Sequence, residues 1–240
     1  MADLSGAAIK LSPAEGCSLW AEGYDHEPNP LLALEERLLQ AEVRGLAGKH
    51  LLDVGCGTGR WMTRARDAGA AVTGIDLTRS FLAQAASKPG LRGGLAAGDA
   101  ARLPFLEKRF DMALCSFVMG YLASTGDALE ELARVVKPGG RVILSDLHPS
   151  ALEQGWKSCF RVAETVYEIE RRPYRLDDVR TAAARQGFKE IQFMEATIGE
   201  PEKHLFVAAG RAEQLERVKD VRAVYVLVWE RSCLQLSTCS

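Results

Sequence analysis

No two of the six cysteines, at positions 17, 56, 115, 159, 233 and 239, stand closer than six residues apart. That spacing excludes a C-x-x-C redox or zinc pair, and no metal site is expected. Cys56 and Cys115 sit in glycine-rich or apolar surroundings, where cysteine serves as a small buried side chain, so reduced structural thiols are expected. No apolar run approaches the ~18–20 residues of a membrane helix. The opening MADLSGAAIKLSPAEG has neither a basic start nor an apolar core, so no secretory signal is expected. The reading is a cytoplasmic protein with no membrane partner. Neither charge sign dominates: 30 Lys+Arg against 32 Asp+Glu give a formal net charge of −2. That balance offers no general pull toward nucleic acid. Internal repeats and low-complexity tracts are absent.

What is present is a chain of 240 residues, 47% hydrophobic, enough for one sizeable core plus extensions. Residues 1–28 read as irregular, punctuated by Pro13, Gly16, Gly23 and Pro28. Asn29-Pro30 opens a helix whose apolar face is Leu31, Leu34, Leu38 and Leu39, and Gly45 to Gly48 closes it. Strand and helix patterns then alternate. Strands are expected at 50–54, 71–76, 93–97, 110–116 and 141–147, and helices at 59–68, 78–87 and 127–136. Lys137-Pro138-Gly139-Gly140 reads as a turn. A helix at 176–187 precedes two further strands, 189–196 and 204–210, whose short connection demands antiparallel pairing. The expected fold is α/β: a doubly wound, mostly parallel, seven-stranded Rossmann-like sheet with one antiparallel strand near its end. Its parts would be a lid segment and helix at 1–47, a core domain at 48–210 and an extension at 211–240. The apolar run VRAVYVLVW in that extension could add a strand or, if exposed, pair two copies into a homodimer.

The strand at 50–54 runs into LLDVGCGTGR, with glycines at 55, 57 and 59. In an open parallel sheet, ligands sit at the carboxyl ends of the strands, where glycine lets the main chain approach them. A dinucleotide fingerprint would need a third glycine at position 60, which is Arg60, and the Gly-Lys-Ser/Thr of a phosphate loop is absent. Asp76 ends the second strand, where a carboxylate can accept both hydroxyls of a ribose, and Asp99 follows the third.

LLDVGCGTGR, GIDLT, GDAARLPF, FDMALCSFVMGYL and ELARVVKPGGRVILSD together resemble the class I S-adenosylmethionine-dependent methyltransferases, within them the type 11 group that includes quinone-biosynthesis enzymes. The resemblance covers about residues 48–148. It implies S-adenosyl-L-methionine as cofactor and S-adenosyl-L-homocysteine as product. Asp53 and the loop Gly55, Cys56, Gly57 and Gly59 would hold the methionine portion, Asp76 the ribose, and Leu77 would pack on the adenine. Asp99 would bond the adenine amino group with Ala100 beside it, and Ser116 and Phe117 would line the amino-acid end. The implied reaction is in-line displacement onto O, C or N of a small, apolar or aromatic metabolite. His148, just after the fifth strand, is the first candidate base and His26 the second. Trp20, Tyr24, Met119, Tyr121, Trp156, Phe160 and Tyr167 are the candidate acceptor-pocket residues. CSFVMGY lacks the Pro-Pro-aromatic motif of enzymes that methylate exocyclic or amide nitrogen, which disfavours DNA bases. Two other readings stand beside this one: a non-catalytic binding or assembly protein on the same fold, and a nucleotide-linked oxidoreductase, against which Arg60 argues.

Overall fold

The computed structural model describes residues 8–233, and Cys239 lies outside them. The chain opens with β1 (Ile9–Leu11), α1 (Pro13–Trp20) and α2 (Pro30–Arg44). Residues 9–20 are therefore ordered elements where irregular chain was expected. The overlooked signal is a capping box. Ser12 Oγ accepts from Glu15 N, and Glu15 Oε2 accepts from Ser12 N at 3.1 Å, with Pro13 in the first helical position. Asn29 caps α2 as the sequence predicts, its side chain accepting from Leu31 N at 3.0 Å.

The alternating body follows as β2 (His50–Val54), α3 (Arg60–Asp67), β3 (Ala71–Asp76), α4 (Arg79–Ser87), β4 (Leu95–Ala97), β5 (Phe110–Ser116), α5 (Thr125–Val135) and β6 (Val136–Leu147). The turn expected at 137–140 is folded into the start of β6. Register runs from Phe110–Val136 straight to Met112–Arg141, so four residues loop out opposite Asp111 alone, with Gly139 at φ 75°. Lys137 Nζ holds that bulge to Asp111 Oδ1 at 2.6 Å.

Next come α6 (Pro149–Glu153), the hairpin β7 (Ser158–Val162) and β8 (Thr165–Ile169), then α7 (Leu176–Arg185), β9 (Phe188–Thr197), α8 (Lys203–Ala208), α9 (Ala212–Val218) and β10 (Arg222–Arg231). The large sheet has the order β4-β3-β2-β5-β6-β10-β9, parallel throughout except that β10 runs antiparallel to both its neighbours. The fold expectation holds, with two corrections at its end. Residues 203–208 form α8, so 204–210 is no strand, and the antiparallel strand is β10. A five-residue apolar run, Leu205–Ala209, fits either structure locally. Here Glu202, buried and accepting from Gly199 N at 2.9 Å, starts a helical turn that seats Phe206 against Leu34 and Val224. The sheet thus continues past residue 210 to residue 231.

The row Ala223–Trp229 in β10 is fully buried between β6 and β9. The physical basis for a homodimer through 220–230, an exposed apolar edge, is absent because the chain's own strands cover that row. Alternate residues serve two layers. Leu51, Met112, Ile143 and Val226 meet Leu39 and Trp61 on one face, while Leu52, Ala113, Leu144 and Leu227 meet Leu129 and Val179 on the other. No helix among the described residues is long and apolar enough to cross a membrane. A second, three-stranded sheet, β1-β8-β7, joins the N-terminal segment to the hairpin and lies over the ligand edge of the large one. Gly16 of α1 packs so tightly on Ile169 that a Cβ there would lie 2.6 Å from Ile169 Cγ1.

Candidate cofactor and acceptor site

The order of the large sheet reverses between β2 and β5, the switch point where an open sheet holds a ligand. A cavity of about 720 Å³ lies there, between the strand ends and the small sheet. β2 leaves the sheet at Gly55, whose φ of 69° belongs to the left-handed region, and a Cβ at that place would overlap Val118 Cγ2. Gly55 N and Cys56 N both donate to Ile75 O, at 2.8 and 3.0 Å, which ties the loop to β3. Gly57 N donates to Asp76 Oδ2 at 2.8 Å and Thr78 N to Asp76 Oδ1 at 2.7 Å. The carboxylate is thus locked on the cavity wall with lone pairs to spare for a ligand. Burial raises its pKa against those bonds.

Leu77, 66% exposed, and Asp99, whose Oδ1 accepts from Ala101 N at 2.9 Å, complete that wall with Ala100. Ser116 and Phe117 line the cavity beside Gly55 and Gly57. Phe117 is a non-glycine residue at φ 55°, its N donating to Ser145 O at 2.8 Å, so backbone strain is held at the site. Asp53, Cys56 and Gly59 stand behind the wall and do not line it. Burial pushes Asp53 up to about 7, opposed by Arg60 and reinforced by Glu35 and Asp76. Cys56 packs with Met62 and Leu91, and Gly59 caps α3 with φ 78°. The five described cysteines are free, and burial raises the thiols of Cys17, to about 12, and of Cys56 and Cys115.

Beneath the loop lies a buried acid that sequence reading missed. Glu35 of α2, fully inaccessible, pairs with Arg60 and accepts from Trp61 Nε1 at 3.2 Å, from Ser116 Oγ at 2.6 Å and from Ser145 Oγ. It clamps α2, α3, β5 and β6 together. Arg60, which argued against a dinucleotide, is therefore a structural cation facing Glu35.

At the other end of the cavity the aromatic candidates divide. Trp20, Tyr24, Tyr121 and Phe160 line it. Their rings form a run: Phe160 stacks on Trp20 at 5.1 Å, Trp20 meets Tyr24 edge-on at 4.7 Å, and Tyr24 meets Phe81 at 5.2 Å. Tyr167 stands behind Phe160 at 5.5 Å and supports it. Met119 is buried in the main core, and Trp156 packs in a separate cluster with Phe206 and Val224, so neither reaches the wall.

Both candidate bases lie off the cavity wall. His148 caps α6. Its Nδ1 accepts from Ser150 N at 3.0 Å, so the proton is on Nε2, which donates to Glu195 Oε1 at 2.5 Å. The residue stands at the expected strand end, yet its ring turns toward β9. His26 is exposed on the loop before α2. Among the described residues no group of three or more His, Cys, Asp or Glu could hold a metal ion.

Comparison with known proteins agrees with this geometry. Residues 52–144 match the methyltransferase domain family Methyltransf_11. The demethylmenaquinone methyltransferase of Streptomyces avermitilis is 33% identical over 179 residues, covering 71% of this chain and 74% of that one. The malonyl-[acyl-carrier protein] O-methyltransferase of Pseudescherichia vulneris is 36% identical over 141 residues, covering 58% of this chain and 55% of the relative. The chain spans about half the length of several of the curated relatives it matches. An S-adenosylmethionine-dependent methyltransferase from Mesorhizobium loti shares the fold, with a TM-score of 0.59 at 20% identity over 80% of this chain and 97% of that one.

Proposed function

The chain belongs to the class I S-adenosylmethionine-dependent methyltransferases of the quinone-biosynthesis type, and from that premise we propose that it moves a methyl group from S-adenosyl-L-methionine to O, C or N of a small acceptor with an aromatic or apolar body. One observation carries the reading. A single cavity joins the Gly55–Asp76–Asp99 wall to the Trp20–Tyr24–Phe160 wall. The first wall fits the cofactor: a loop with no Cβ at Gly55, a fixed carboxylate at Asp76 and an open carboxylate at Asp99.

When bound there, S-adenosylmethionine supplies an electrophilic sulfonium methyl group for in-line displacement. Asp76 would accept the ribose hydroxyls, Asp99 the adenine amino group, and Leu77 would cover the adenine face. Gly55 and Gly57 would hold the methionine portion, with Asp53 behind the loop rather than on the cavity wall. The chain's contribution to the transfer is to orient the acceptor against that group and to exclude water with the small sheet. Neither histidine candidate reaches the cavity, so proton removal from the acceptor is not assigned to them. The non-catalytic reading rested on an exposed apolar strand, and that strand is internal.

Calorimetric titration with S-adenosylmethionine, S-adenosylhomocysteine and NAD tests this reading. Binding of the first two and not the third is expected. Asp76→Ala removes two hydrogen bonds to a charged group, at about 1.5–3 kcal/mol each, so affinity should fall about 10²-fold or more. Absence of adenosylmethionine binding by the unaltered protein would sink the proposal.

A further inference from the structure

The segment from α1 to the start of α2 borders the same cavity as the glycine loop, with Pro13, Cys17, Trp20 and Tyr24 on the wall. Its inner face comes close to the cofactor carboxylate: burial first, and then the charge of Asp76, push the Cys17 thiol up to about 12. Both ends of the segment are anchored elsewhere. At its start β1 pairs with β8, Glu170 N donates to Leu11 O at 3.0 Å, and Gly16 packs on Ile169. At its end Asn29 caps α2, which Glu35 holds to the sheet.

Between those anchors, polar ties to the glycine loop and α4 are few. Among the described residues they are Ser80 Oγ to Ser18 O at 3.4 Å, Thr58 Oγ1 to Asp25 Oδ1 at 2.7 Å, and Lys88 Nζ to Asp25 Oδ2 at 2.7 Å. Both short ties are made by Asp25, one with each carboxylate oxygen. Thr58, 2% exposed, stands between Gly57 and Gly59 in the loop, and Lys88 caps the end of α4. A hydroxyl donating to a carboxylate from a buried site makes a strong bond, whereas the Lys88 pair is partly exposed and weakened by solvent. Asp25 does not itself line the cavity, but its neighbour Tyr24 does, and Tyr24 meets Phe81 of α4 edge-on at 5.2 Å.

We propose that residues 12–29 are a strap that lifts to exchange S-adenosylmethionine for S-adenosylhomocysteine, and that Asp25 is its latch. The inference rests on the reading that this cavity holds that cofactor. With the latch made, Trp20 and Tyr24 stay on the cavity wall and keep water from the transfer. With it broken, the small sheet and the Asn29 cap still hold the two ends, so the strap opens without unfolding the chain. Asp25 then sets how long the cofactor stays, and strap opening limits its release.

The test follows release and binding of labelled S-adenosylhomocysteine by the full-length protein, with unlabelled compound as the chase. Asp25→Ala should raise the release rate at least about fivefold and leave the association rate undiminished. Asp25→Asn keeps an oxygen for Thr58, and Lys88→Met keeps the Thr58 bond whole, so both should stay within about threefold of the unaltered chain. Strap opening has its own readout in a pulse of N-ethylmaleimide mapped by mass spectrometry. Without cofactor, Cys17 should label at least about fivefold faster in Asp25→Ala, while the exposed Cys233 labels at an unchanged rate. A smaller rise in release or in Cys17 labelling overturns the proposal. So does an association rate that falls in step with affinity, which marks a damaged pocket rather than a loosened strap. Absence of S-adenosylhomocysteine binding by the unaltered protein would instead overturn the cofactor reading.

Discussion

Replacing Glu35 with leucine should expose how much of this site hangs on one buried acid. The carboxylate is inaccessible to solvent and is shared by four donors, from Arg60, Trp61, Ser116 and Ser145. Glu35→Leu leaves Arg60 as an uncompensated buried cation whose Nη1 already has no partner. Removing one member of a buried ion pair costs about 3–5 kcal/mol. Orphaning the Ser145 and Trp61 donors adds to that loss. Against a typical domain stability of about 5–15 kcal/mol, the variant should be severely weakened. Urea unfolding followed by circular dichroism provides the measurement, with an unchanged slope confirming that stability alone has moved. The paired substitution Glu35→Leu with Arg60→Met removes both charges. It should recover at least about 1–2 kcal/mol relative to the single variant, because an apolar pair escapes the desolvation cost. A loss below about 1 kcal/mol for Glu35→Leu, or a double variant no better than the single one, would refute the reasoning.

Two further outcomes follow from the site. Asp53 titrates near 7 in the folded chain against 3.8 when free, so between those values the native state holds a proton that the unfolded chain has released. Its contribution to stability therefore falls as pH rises from about 4 to about 7. Urea unfolding between pH 4 and pH 7 should show the unaltered chain losing stability as pH rises, and Asp53→Asn should flatten that fall. A flat profile for the unaltered protein would contradict this. His148→Asn retains a capping side chain for α6 and loses the Glu195 bond and the ring's 2.7 Å contact with Ser150 Oγ. It should cost about 1 kcal/mol of stability and leave turnover within severalfold. A drop beyond a hundredfold in a folded variant would show the imidazole reacting after all.

The two ends of the cavity differed in how plainly the sequence announced them, and the difference is physical. The donor end is made by one nearly continuous stretch, β2 through the loop after β4. There the glycine spacing, the strand-ending Asp76 and the following Asp99 are constrained by local backbone geometry. Such constraints survive in the order of residues. The acceptor end is assembled from three separated pieces: α1 with its following loop, the turn after β5, and the β7–β8 hairpin. The hairpin turn carries Ala163 at φ 48° in place of glycine, so no punctuation marked it. Arg171 finds Asp146 from 25 residues away, and Glu35 finds Ser145 from 110. No periodicity encodes pairs of that kind. His148 shows the converse hazard: its position at a strand end was legible, but the direction of its ring depends on β9, which brings Glu195 across 47 residues. Residues whose role is fixed by their own backbone could be assigned from sequence. Those whose role is fixed by a distant partner needed the fold.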